Sequence, residues 1–155
     1  MNDDPTQTAA TQRSDTTSPP VWFWVVSAIA LGWYLMDTSA FLMRVLMLDD
    51  FIEGMPENQQ HLYRNIPLWV NGVFASEVFG GALGCVGLLL RTRWALPLFV
   101  GSILGVLGQT FHVYFLSDAI SIMGTPAVVM PLLAILIGAG MIGLAKSAIA
   151  KGWLR

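Results

Sequence analysis

Four side chains that ionise or hydrogen-bond, Asp37, Glu77, Gln109 and His112, lie inside otherwise apolar stretches of this 155-residue chain. Glu77 falls ten residues into an apolar run that starts at Pro67, which on a helix is about 15 Å down. An isolated carboxylate at that depth is expensive, so Glu77 must be neutral, paired or facing water. Gly105, Gln109 and His112 are spaced by four and then three, so a glycine, an amide and an imidazole share one helical face. Asp37 sits at a depth similar to that of His112. Carboxylates and an imidazole at membrane depth are the parts of a proton relay or a coupled-transport site, because they change charge. In that reading Glu77 and His112 exchange protons or bind polar ligand groups, and Asp37 and Gln109 orient them. The plainer reading is a structural clasp, with His112 bonded to Asp37 or Glu77 and Arg44 reaching back two turns to Asp37.

The elements that must hold these groups are four apolar stretches, at about 21–45, 67–90, 95–116 and 126–145. Each has about 20 or more residues, enough as a helix to cross a hydrocarbon layer of about 30 Å. The predicted architecture is all-α: an integral membrane four-helix bundle over residues 21–155 whose partner is the lipid bilayer. With 55% hydrophobic and 12% charged residues, nearly everything beyond the first twenty belongs to one bundle, and no separate soluble catalytic unit fits. The net charge of −2 comes without a basic block, which argues against nucleic acid. The single cysteine, Cys85, excludes an intrachain disulfide and a CxxC redox pair. No nucleophile–base pair, metal triad or phosphate loop is legible, so neither an enzyme nor a metal or cofactor is expected.

Residues 1–20 are rich in Thr, Gln, Asp, Ser and Pro and lack secretory-signal grammar, which predicts a disordered cytoplasmic tail followed by an uncleaved first span. Arg13, Arg91, Arg93, Lys146, Lys151 and Arg155 would lie on one side of the membrane, with Arg44 and Arg64 on the other. Under the positive-inside rule both termini are then cytoplasmic, in a bacterial inner membrane. Trp22, Trp24 and Trp94 fall at the inner interface, Trp69 and Tyr114 near the outer one. The 46–66 segment is the one sizeable loop. A short helix after Pro56 could place Met55, Leu62, Tyr63 and Ile66 along one edge, either as an outer lid or as a solvated connector with a greasy side. Thr125 is expected to cap the fourth helix, with Pro126 in its first turn and a kink at Pro131.

Glycines mark the expected helix contacts. Ser76, Gly80 and Gly84 are spaced by four, Gly101, Gly105 and Gly108 share a face, and Ala134 and Gly138 do likewise. Such faces let backbones approach closely where lipid removes the hydrophobic drive for association. They serve packing within the bundle or contact between copies.

At Ile66-Pro67-Leu68-Trp69-Val70, at Val78-Phe79-Gly80-Gly81-Ala82-Leu83-Gly84-Cys85, and at Leu88-Leu89-Leu90-Arg91 with Trp94-Ala95, the chain resembles a small bacterial family of four-span proteins often labelled "sugar transporter". The likeness extends through 55–66 and the Lys151-Gly152-Trp153-Leu154 ending. Glu77 departs from that pattern, which has a small apolar residue there. The 77–93 segment also resembles the DoxX-like membrane proteins, with a carboxylate before Gly-Gly and leucines ending in arginine. The first resemblance implies transport or permeation of a small polar, sugar-like solute. Four spans are few for alternating access, so a homo-oligomer or larger membrane complex is expected. The second implies a non-catalytic accessory subunit that stabilises or docks a membrane complex.

Overall fold

A computed structural model describes residues 18–64 and 66–154. The tail expected over 1–20 lies outside the described residues as far as residue 17, as do Arg13 and Arg155 of the charge count. Seven α-helices follow in order: α1 Val21–Leu46, α2 Leu48–Glu53, α3 Glu57–Arg64, α4 Leu68–Leu89, α5 Ala95–Phe111, α6 Ala119–Met123 and α7 Thr125–Ala150. The end of α5 continues as one wider π-helical turn, His112–Leu116. Four helices of 26, 22, 22 and 26 residues (α1, α4, α5 with its π turn, and α7) are long and apolar enough to cross a membrane.

Close packing runs in chain order, α1 on α4, α4 on α5 and α5 on α7. The row does not close tightly: α1 and α7 face each other across an apolar groove lined by Ile29, Ala30, Trp33, Ile137, Gly140 and Met141. Helix α4 is the most enclosed, 44% of its most apolar window being buried, against 17% for α7, the most apolar helix of the four. A helix whose apolar residues mostly face outward suits hydrocarbon and not water.

The α4–α5 seam depends on missing side chains. A methyl group at Gly80 would meet the Leu98 carbonyl at 3.0 Å, one at Gly84 the Phe99 ring at 2.8 Å, and one at Gly105 the α4 backbone at Glu77 N, 2.8 Å away. Gly81 of the same helix turns instead to α1, where any side chain would overlap the Tyr34 ring. Of the small residues expected to serve contacts, Gly101 has open space beside it, as do Gly140 and Gly143 of α7. Three hydroxyls within the spans are satisfied by their own helix: Ser27 donates to the Phe23 carbonyl (2.8 Å), Thr38 to Tyr34 (2.7 Å) and Thr110 to Val106 (2.6 Å).

The two ends differ. At one end, the base, α1 begins, α7 ends and the 90–94 turn lies. There α4 and α7 both close with a Schellman motif. Thr92 N donates to Gly87 O (2.8 Å) and Arg91 N to Leu88 O (3.0 Å), while Trp153 N donates to Ala148 O (2.8 Å) and Gly152 N to Ile149 O (3.0 Å). The left-handed position is taken by Gly152 in one (φ 69°) and by Arg91 in the other (φ 58°). Arg91 offsets its backbone strain by donating Nε–H to the Trp153 carbonyl at 2.8 Å, which ties the two motifs together. Trp153 stands edge-on to Trp22 and Phe23, with ring centroids 6.1 and 5.7 Å apart.

At the other end, the crown, α2 and α3 follow α1 directly. Asp49, Asp50 and Glu57 sit in their first turns and His61 and Arg64 in the last turn of α3, as helix dipoles favour. The short helix after Pro56 is α3; Met55 and Ile66 fall just outside it. Helix α6, which the sequence reading does not anticipate, packs between α3 and the start of α7. Helix α7 is entered through Gly124, whose φ of 66° only glycine adopts freely; Thr125 is thus the first helical residue and not the cap. The helix runs on through Pro131, which has no N–H to offer the Ala127 carbonyl.

Candidate functional site

The four expected site residues separate into two groups. Glu77 and Asp37 belong to the interior of the bundle. Glu77 is 4% exposed, its main-chain carbonyl accepts a hydrogen bond from Ser102 Oγ at 2.7 Å, and its Oε2 has no partner among the described residues. Asp37 is half-buried on α1. Tyr34, one turn before Asp37, crosses this level. Its ring covers Gly81 and tilts against Phe99 (centroids 6.4 Å apart), while its hydroxyl faces Ser102 and Gly138. Three helices thus converge on one tyrosine directly beside the buried acid.

Gln109 and His112 belong elsewhere. They line a half-open cavity of about 390 Å³ at the crown, together with Arg44, Tyr63 and Ser117 and the apolar side chains of Val70, Val113, Met123 and Met130. Asp37 and Glu77 are not in that lining. Helical spacing correctly places Gln109 and His112 on one face, while Gly105 on the same row is spent on the α4 backbone. The π turn begins at His112 and widens the helix where it meets the cavity; its Tyr114 hydroxyl lies 3.5 Å from the Val128 carbonyl of α7 and Ser117 Oγ donates to Val113 O at 3.1 Å.

The clasp read from the sequence takes other partners. Arg44 does not turn back to Asp37; Nη2 crosses to α4 and donates to Asn71 Oδ1 at 3.0 Å, with the guanidinium 4.5 Å from the centre of the Phe74 ring. His112 stands edge-on to Trp69, centroids 5.6 Å apart, and not against a carboxylate. Asp37 lies seven residues, about 10 Å of helix rise, below Arg44, whereas the Asn71 amide of the neighbouring helix is within direct hydrogen-bond reach. The amide of Gln109 leaves Oε1 buried and without a partner among the described residues. The cavity therefore presents a guanidinium, an imidazole and an amide, with the hydroxyl-bearing Tyr63 and Ser117, against mostly apolar walls, and among the described residues no carboxylate lines it.

Sequence reasoning missed Arg44, Asn71, Tyr63 and Tyr34 as site residues. Asn71 carried a weak signal as an amide within a span, but its helical phase relative to Glu77 pointed away from the acid. No family model matches the chain, and neither a curated protein nor a solved structure matches it.

Proposed function

We propose that this protein is a multi-pass membrane protein, with both termini cytoplasmic in a bacterial inner membrane, that takes up a small solute in the crown cavity and acts in transport as an oligomer. The cavity itself is the observation that supports this reading: α1 supplies Arg44, α5 with its π turn supplies Gln109 and His112, and α3 and α6 form its rim. Its volume of about 390 Å³ lies within the range of about 300–1,000 Å³ usual for small-ligand sites. The family resemblance at 66–70 and 78–91 points the same way, although so apolar a lining suits an amphipathic solute better than a bare sugar. Below the cavity the base is filled by Phe23, Leu88, Phe99, Ala145 and Leu154, all fully or almost fully buried, so a solute entering from the crown meets a closed floor. Movement across the membrane then requires that floor to part, and a second copy is the natural partner for such a step.

Cysteine accessibility tests the arrangement. In a Cys85→Ser background, Val113→Cys and Glu57→Cys should react with an impermeant maleimide added to intact cells, and Lys151→Cys should react only after permeabilisation. Uptake of labelled glucose and of labelled 3-phenylpropionate into proteoliposomes then tests transport: rates equal to those of protein-free liposomes for both would remove the transport reading. The second reading, an accessory subunit, is favoured by the α1–α7 groove, an apolar cleft of about 540 Å³ suited to a partner's helix. Recovery of an unrelated membrane protein at one-to-one stoichiometry in mild detergent would favour it.

A further inference from the structure

The charge pattern of the crown cavity carries more than the existence of a site. Its described lining contains one permanently charged group, Arg44, and no Asp or Glu. The acids of this end, Asp49, Asp50, Glu53 and Glu57 on α2 and α3 and Asp118 just before α6, are exposed and are not among the lining residues. Arg44 is also held in place. Asn71 accepts from one Nη, and the guanidinium lies over Phe74 at 4.5 Å with Phe41 at 5.9 Å. All three partners are neutral, so they orient the cation without neutralising it, and most of its five N–H donors stay available. A guanidinium half-withdrawn from water among apolar walls gains most from an anion that brings its own apolar surface. Gln109 also lines the cavity, and its amide NH2 is a donor that an acidic head can use as a second polar anchor. Val70, Val113, Met123 and Met130 provide the apolar side, methionines adapting to irregular shapes.

We infer that the crown cavity binds an amphipathic anion, its acidic head on Arg44 and its apolar body against Val70, Val113, Met123 and Met130. This rests on the solute-binding reading above and names the ligand class. The same chemistry has two sources, a free small carboxylate or the head and upper chain of an anionic lipid.

The test uses the full chain in nanodiscs, with protein-free nanodiscs as background. In phosphatidylcholine discs, 3-phenylpropionate should bind saturably, and the isosteric amine 3-phenylpropylamine and glucose should not. Arg44→Gln should weaken the carboxylate at least tenfold, Arg44→Lys should restore part of the loss, and Gln109→Leu should weaken it several-fold while leaving elution behaviour unchanged. Adding phosphatidylglycerol to the discs separates the sources. Competition with the carboxylate, and lipid retained by the native protein but not by Arg44→Gln in native mass spectrometry, would assign the site to lipid; unaltered carboxylate binding assigns it to a free solute. Saturable binding of the amine or of glucose that Gln109→Leu or His112→Ala abolishes would overturn the anion and keep the cavity as a solute site. If neither the carboxylate nor phosphatidylglycerol distinguishes native protein from Arg44→Gln, and no probe responds to any cavity variant, both readings fall.

Discussion

At the base of the bundle, rings and small side chains fill the space between helices: Phe99 lies against Gly84, Trp153 closes over Phe23, and Arg91 bonds to the main chain of the C-terminal segment. At the crown, α2, α3 and α6 lie about the same four helices, and the space between is a cavity edged by Arg44, Gln109 and His112. One half therefore draws its stability from close backbone approach and two linked Schellman motifs, while the other leaves open space between its helices. The open half is where binding is to be sought, and the packed half serves as its foundation.

The contrast predicts which substitutions hurt. Gly84→Leu should have the largest effect, since the side chain would have to displace Phe99 from a fully buried position; loss of the monodisperse species in detergent is expected, and normal yield and thermal stability would break the view of the base as close-packed. Trp153→Ala removes the edge contacts to Trp22 and Phe23 and the stacking of Lys151, 4.7 Å from its ring, and should cost about 3 kcal/mol in reversible unfolding from mild detergent. Smallest should be Gln109→Leu. Replacing a partly satisfied amide by an apolar group of similar size should change stability by no more than about 0.5 kcal/mol in either direction, while weakening carboxylate binding several-fold. A loss as large as that of Trp153→Ala would show that the crown is a structural clasp after all.

The number and position of the spanning helices were legible in the sequence because hydropathy over about 20 residues is a local quantity that lipid reads directly. Helix ends were less so. Glycine supports two of them by backbone freedom, Gly124 at the start of α7 and Gly152 at its end, but the left-handed turn at Arg91 could not be foreseen, since its stabilisation comes from Trp153, 62 residues away. Helix α6 was missed because five residues give too little periodicity. In the candidate site, spacing rightly joined Gln109 to His112. It wrongly offered Arg44 to Asp37, because which helix an arginine reaches depends on the neighbour's rotation and height.

Composition alone marked four stretches as long and apolar enough to cross a membrane, and in hydrocarbon such a stretch must be helical to pair its own backbone. The charges at the two ends, with Arg91, Arg93, Lys146 and Lys151 at the base, were likewise written in the chain. Only the tertiary structure decided that the polar residues form two places and not one: a buried level at Tyr34, Asp37 and Glu77, and a cavity at Arg44, Gln109 and His112. The reason is geometric. Depth along a helix follows from residue number, but the direction a side chain faces within a bundle is set by where glycines let neighbouring backbones touch, and that is a property of pairs of helices.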